Sequence, residues 1–293
     1  MLRERLFVSD LDGTLLLPDK SLGARTRRAI ERLVAAGGRF TVATGRSAAS
    51  ASAALDGLAL PLAAIVHNGA MISELDGGRV AHLEPLAGPV AGRLFSRALS
   101  AGLTPVAYAL ASDQAPDARQ VRVLHGARPN PPTARYLASV SPHHGLAVDD
   151  GAALARMVPL SLILLDDHQQ LVDFFERECA PLSGVTAYPG HSAYTPGLGV
   201  GEITAAGASK ALAAAWLARG LGLDLDHVVA FGDNLNDLPL LLAAGEAYCP
   251  PDAPPEMLSK VAGRVAPTAE EGVAVHLERL LVCPGPKIGP RAP

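Results

Sequence analysis

Asp10 and Asp12 stand directly behind the apolar run Leu6-Phe7-Val8, in the stretch Ser9-Asp10-Leu11-Asp12-Gly13-Thr14. In open α/β sheets, ligands bind beyond the carboxyl ends of strands, which is where this pair falls. Two desolvated carboxylates so close together repel, and a bound cation relieves both the repulsion and the desolvation. The stretch Gly232-Asp233-Asn234-Leu235-Asn236-Asp237 repeats the arrangement after the apolar run Val228-Val229-Ala230-Phe231. Taken alone it also reads as a helix start, with Asn234 or Asn236 as N-cap and acids near the positive end. Beside Asp10 and Asp12, its carboxylates complete an all-oxygen shell of the kind that suits Mg²⁺.

Two further groups are cationic or anion-seeking. Thr44-Gly45-Arg46 closes the β-prone run Phe40-Thr41-Val42-Ala43. A hydroxyl, an unhindered backbone N–H and a following helix start make a phosphate nest there. The chain has only four lysines, Lys20, Lys210, Lys260 and Lys287, and uses Arg elsewhere. Lys210 nevertheless opens the otherwise nonpolar helix Ala-Leu-Ala-Ala-Ala-Trp-Leu. A compact point charge suits a phosphate and a carboxylate nucleophile better than a guanidinium fork of fixed geometry.

The elements that must position these groups alternate along the chain. Leu6–Val8, a helix around Ile30, Leu33 and Val34, the strand 40–43, an Ala/Ser-rich helix to about Leu55 and the strand 63–66 form a β-α-β-α-β series. Such a series implies a parallel sheet covered by helices. Residues 71–83 read as a hairpin around Asp76-Gly77-Gly78. The texture then changes: a helix over 86–101, strands over 104–110, 160–165 and 184–188, a helix over 168–179, and a polar, turn-rich stretch over 112–141. The first pattern returns with a helix over 206–219, the strand 228–231 and a short helix over 236–243. The expected organisation is a core in two segments, 1–83 and 191–282, around an inserted α/β module at 84–190. The tail 283–293 is expected to be disordered.

At 293 residues, 49% hydrophobic and with a net charge of −4, the chain has material for two domains and a sizeable core. The mildly acidic balance and the absence of a basic block argue against a nucleic-acid partner. No stretch approaches the uninterrupted apolar length of a membrane span. Cys179, Cys249 and Cys283 lie far apart and form no Cys-x-x-Cys pair. A reducing, cytoplasmic setting is therefore expected.

Taken in order, Ser9 to Leu16, Thr44-Gly45-Arg46, Lys210 and Gly232 to Asp237 resemble the motifs of the haloacid dehalogenase superfamily of phosphatases. The turn Asn68-Gly69-Ala70, the large insertion after it and the late lysine are similar to the Cof-type, sugar-phosphatase-like branch. Two positions depart from the family pattern: Ala211 follows the lysine where Gly is usual, and Leu-Pro-Leu-Leu follows Asp237. The resemblance implies an α/β fold with a Rossmann-like parallel-sheet core and an inserted α/β cap domain. It also implies a Mg²⁺-dependent hydrolase of a small phosphorylated metabolite. In it Asp10 is the nucleophile that forms an aspartyl-phosphate, and Asp12 is the acid and base. Asp10, Asp233 and the main-chain carbonyl of Asp12 hold Mg²⁺. Thr44, Gly45 and Lys210 bind the phosphoryl group, and Asn236, Asp237 and Arg46 orient the others. The cap is implied to choose the substrate; its polar residues Arg135, His143, His144, His191 and Ser192 stand out without any one being favoured.

Three alternatives remain at this level. A sugar phosphomutase would use the same intermediate, and a non-catalytic phosphate-binding regulatory protein would keep the scaffold alone. A dinucleotide-binding oxidoreductase fits less well, because the first strand ends in an Asp-rich turn and lacks a Gly-rich one.

Overall fold

The computed structural model describes residues 2–76, 78–140, 145–191 and 197–282. His143, His144, Ser192 and the tail from Cys283 lie outside them. The first segment carries β1 (Leu6–Ser9), α1 (Ala24–Ala35), β2 (Arg39–Val42), α2 (Ala48–Leu55), β3 (Ala64–Val66), β4 (Met71–Ser73) and β5 (Val80–Leu83). Next come α3 (Gly88–Ser100), β6 (Pro105–Leu110), β7 (Arg122–Gly126), α4 (Pro131–Val140), β8 (Gly145–Val148), β9 (Val158–Asp167), α5 (His168–Phe174), β10 (Val185–His191) and β11 (Leu198–Ala205). The last segment holds α6 (Lys210–Gly220), β12 (Val228–Phe231), α7 (Leu238–Ala243), β13 (Glu246–Cys249), α8 (Pro255–Lys260), β14 (Gly263–Arg264) and α9 (Gly272–Val282).

The chain divides into two compact units, one up to Ala81 and again from Ser209, the other His82–Ala208. The first unit is built on a parallel sheet ordered β14-β13-β12-β1-β2. Both acidic stretches leave this sheet from adjacent central strands: Ser9 of β1 pairs with Phe231 of β12. Every residue of β1 and β12 is buried, as parallel strands covered on both faces require. The α1 helix buries Thr26, Ala29, Ile30 and Leu33, the spacing of a single apolar face. The third strand joins at one parallel bridge, Ala43 to Ile65, and belongs to a small sheet ordered β3-β4-β5.

The inserted unit is a sheet ordered β10-β11-β9-β6-β7-β8, antiparallel except for the parallel pair β7 and β8. Ala107, Ala109, Leu124, Leu162, Leu164 and Ile203 form its apolar face and pack with Leu94 and Phe95 of α3 and Leu171 and Phe174 of α5.

Three expectations change. The return to the core falls at 208/209 rather than 190/191, because β11 pairs with both β9 and β10 and so belongs to the insert. Its Gly-rich sequence, Leu-Gly-Val-Gly-Glu-Ile-Thr-Ala, hid it as a strand. The polar stretch 112–141 contains β7 and α4, whose prolines Pro131 and Pro132 open the helix, where a missing N–H costs nothing. The late helices start further on than expected, at Lys210 and Leu238, because Ser209 caps α6 and the residues before Leu238 stay in the acidic turn.

Candidate active site

The site lies entirely within the first unit, at the carboxyl ends of β1, β2 and β12. Asp10 follows β1 directly, and its N–H donates to the Phe231 carbonyl at 2.9 Å, extending the β1–β12 ladder by one bond. The chain then turns back, with the Leu16 N–H donating to the Leu11 carbonyl at 2.9 Å. Gly13 makes this turn possible. Its φ is +78°, and a Cβ there would stand against the Asp233 carboxylate. Thr14, next to it, donates its hydroxyl to Asp233 Oδ1 at 2.8 Å and so ties the first acidic stretch to the second.

Lys210 reaches the same place from α6. Ser209 caps this helix, its side chain accepting from the Leu212 N–H at 3.0 Å. Gly69, at φ +99°, lets the turn after β3 approach the Ser209 backbone, where a Cβ would clash. Lys210 thus sits at the positive end of a helix, an unfavourable place for a cation. Two carboxylates compensate: Nζ donates to Asp10 Oδ1 at 2.6 Å and to Asp237 Oδ1 at 2.6 Å. Lys210 is 2% exposed, Asp10 7% and Asp237 1%, so the triad is shielded from water. Asp237 Oδ2 accepts from the N–H groups of Asp233 and Asn234, each at 3.1 Å, which fixes the second acidic turn around it.

Asp10, Asp233 and Asp237 each offer one oxygen within 4.8 Å of the others. Three carboxylates face one ammonium, and this imbalance shows in the acidity of Asp10 and Asp233. Burial above all, with Asp237 and Asp233 adding to it and Lys210 opposing, raises the Asp10 carboxyl well above its usual range. Burial and then Asp237 push Asp233 up to about 7. Burial opposes the Lys210 charge, but the two carboxylates outweigh it and its pKa rises. An all-oxygen, over-acidic group of this kind fits a hard divalent cation.

Asp12 departs from this cluster. Its carboxylate accepts two hydrogen bonds from Arg46, Nε to Oδ2 at 2.6 Å and Nη2 to Oδ1 at 2.7 Å, and is not one of the three converging groups. Among the acidic side chains Asp237 takes the third place; the sequence reading had kept Asp12 among the metal ligands through its main-chain carbonyl. Arg46, expected to orient the other groups, has Asp12 as a partner. Thr44 is buried, and its Oγ1 accepts from the Arg46 N–H at 3.1 Å, shaping the turn in which Gly45 lies.

Two positioning residues escaped the sequence reading. Thr14, in the first acidic stretch, bonds Asp233 in the second. Asn68 was noted only as part of a turn; it donates its N–H to the Thr44 carbonyl at 3.0 Å and accepts from Asn236 Nδ2 at 3.0 Å. It therefore links the Thr44 turn to the acidic turn that contains Asn236. The Asn-Gly pair after an apolar strand was the available signal.

A parallel α/β sheet whose central strands end in converging carboxylates and a buried lysine defines a phosphoryl-transfer protein. The chain matches the haloacid dehalogenase-like hydrolase model over residues 7–277. It belongs to that family, and to its Cof-type branch. It is 27% identical over 260 residues to an HMP-PP phosphatase of Cronobacter sakazakii, covering 88% of each chain. Its fold is similar to a haloacid dehalogenase-like hydrolase of B. subtilis, with a TM-score of 0.77, 20% identity and coverage of 94% and 99% of the two chains. A haloacid dehalogenase-like hydrolase of Bacteroides thetaiotaomicron is similar at a TM-score of 0.74 and 22% identity, over 94% and 99%.

Proposed function

We propose that the protein is a Mg²⁺-dependent phosphomonoester hydrolase that acts on a small phosphorylated metabolite through an aspartyl-phosphate on Asp10. The observation that carries this reading is the convergence of Asp10, Lys210, Asp233 and Asp237, drawn from sequence positions up to 227 residues apart, into one group in which Asp233 is half-buried and the other three are buried. Asp10 engages Lys210 through one oxygen, and its second oxygen accepts no hydrogen bond among the described residues. That oxygen attacks phosphorus as the ester P–O bond breaks, and the departing alkoxide takes a proton from Asp12. Water then attacks the phosphorus and gives its proton to Asp12. The P–O bond to Asp10 breaks and phosphate leaves.

Lys210 spends two of its three N–H groups on carboxylates, and the third remains for a phosphoryl oxygen. Thr44 and the Gly45 N–H hold the other phosphoryl oxygens in this reading. Asp10 and Asp233, with the Asp12 carbonyl and Asp237 beside them, would hold Mg²⁺. Once bound, the ion offsets the repulsion between an anionic nucleophile and an anionic ester.

Relatives named HMP-PP phosphatase support a small phosphorylated metabolite as substrate. No helix among the described residues is long and apolar enough to cross a membrane. Cys179 and Cys249 are both free thiols, which supports a cytoplasmic setting. The test is phosphate release from a broad panel of phosphorylated metabolites, HMP-PP included, with and without Mg²⁺. Free phosphate is the expected product. A sugar bisphosphate or an isomeric monophosphate would mark a mutase, and Mg²⁺ binding without turnover would mark a regulatory protein.

A further inference from the structure

Among the four acids of the two motifs, Asp12 is the one held by a guanidinium. The Arg46 fork meets both of its oxygens, at 2.6 and 2.7 Å, which fixes the plane of the carboxylate as well as its place. Both ends of the pair are anchored through the main chain. The Arg46 N–H donates to Thr44 Oγ1 at 3.1 Å, and its carbonyl accepts from the His67 N–H at 3.0 Å. Asp12 lies in the turn shaped by Gly13, with non-helical angles of its own, φ −76° and ψ 126°. The Asp12 side chain is 32% exposed and the Arg46 side chain 19%. A carboxylate open to this extent would sample several rotamers if nothing held it. An ion pair so close to water adds little to stability.

We infer that Arg46 is a positioning residue, holding the Asp12 carboxylate where it receives the proton of the attacking water. This rests on the phosphatase reading above. A lysine in place of Arg46 would supply a point charge without fixing the plane. In the second half-reaction, water attacks the phosphorus on Asp10, its proton passes to Asp12, and the P–O bond to Asp10 breaks. Misplacing a catalytic group by about 1 Å costs on the order of 100-fold. Phosphorylation by nitrophenyl phosphate escapes this cost, because nitrophenolate leaves without a proton.

The test compares wild type, R46Q, R46K, R46A, D12N and R46Q/D12N with nitrophenyl phosphate and Mg²⁺, in rapid-mixing kinetics and by labelling of Asp10. R46Q should release a burst of nitrophenol close to one per site. It should then turn over about 10- to 100-fold more slowly than wild type, with label accumulating on Asp10. R46K should fall between the two. The double variant should be no slower than D12N alone, because the step that Arg46 serves is the one Asp12 carries out. Guanidinium added to R46A should restore part of the second step. Equal slowing of burst and turnover in R46Q, unchanged kinetics, or a further loss on adding R46Q to D12N would overturn the inference. A wild type that neither releases phosphate nor takes up label would remove the phosphatase reading itself, before any variant is compared.

Discussion

The two units of this chain both bury polar side chains, and they balance them differently. In the inserted unit, Tyr108 of β6 and Tyr136 of α4 join hydroxyl to hydroxyl at 2.8 Å. Burial pushes the Tyr108 phenol up to about 12 and raises Tyr136 as well, so both stay neutral. Each group has what the other needs, and α4 is held to the sheet. In the core unit, three carboxylates meet one ammonium, and burial drives Asp233 up to about 7. A neutral matched pair serves architecture. A buried group with excess charge of one sign is costly, and it persists where a ligand supplies the missing charge.

Replacing Asp10 by Asn is the sharpest way to break this contrast. Phosphate release should fall by at least about 10⁴-fold, as for other nucleophile deletions, and label should never appear on the protein. The fold should survive, because one of the repelling charges is gone; a melting curve measured alongside checks this. Labelled D10N protein would remove Asp10 as nucleophile.

Lys210→Met comes next. It removes the only ammonium of the triad and leaves Asp10 and Asp237 buried without it. Stability at neutral pH should drop by about 3 to 5 kcal/mol, as when one partner of a buried ion pair is lost. Turnover of whatever folds should fall by about 10²- to 10³-fold, the usual cost of losing one transition-state donor. Denaturant unfolding and steady-state kinetics separate the two effects. The Tyr pair offers the contrast, since Tyr136→Phe deletes a neutral partner.

Adding Mg²⁺ should sharpen the comparison further. In the metal-free protein the Asp233 pKa is raised to about 7, so the folded state holds a proton that the unfolded chain, with an ordinary carboxylate, gives up near pH 4. Metal-free stability should therefore fall as pH rises from about 4 to 7, by on the order of a few kcal/mol, and stay low above. A cation that needs the ionised carboxylate competes with that proton. Mg²⁺ affinity should weaken as pH drops below about 7, by up to about tenfold per pH unit for one proton. The rise in melting temperature on adding Mg²⁺ should be larger at pH 8 than at pH 6. Titration calorimetry and thermal melts at both values check the sign.

The smallest effect belongs to Tyr136→Phe. It deletes the hydroxyl that bonds buried Tyr108 and should cost about 1 kcal/mol of stability, with label still appearing on Asp10. A loss of labelling in this variant would erase the division between an architectural pair and a reactive cluster.

Part of this was legible along the chain. Each acidic stretch sits behind a run of apolar, strand-forming residues, because parallel strands are buried on both faces and ligands gather at their ends. The rarity of lysine isolated Lys210. Other parts were not legible. Leu198–Ala205 carries no strand signal through its glycines, and is a strand because β9 and β10 flank it. Pro131 and Pro132 look like chain breakers and instead open α4. Thr14 and Asn68 act through partners 219 and 168 residues away, where local pattern carries no information.

The sequence by itself determined which residue types end which strands, and from that the kind of chemistry they suit: carboxylates, a lysine and a hydroxyl-glycine turn, groups fitted to a cation and a phosphate. Local composition suffices for this, since strand propensity, turn residues and charge are properties of short segments. Only the tertiary structure decided how the charges are shared. It joined Lys210 to both Asp10 and Asp237, and it set Asp12 apart under Arg46. Both choices depend on side chains meeting over distances of a few ångströms between segments far apart in the chain, and burial makes each such meeting strong.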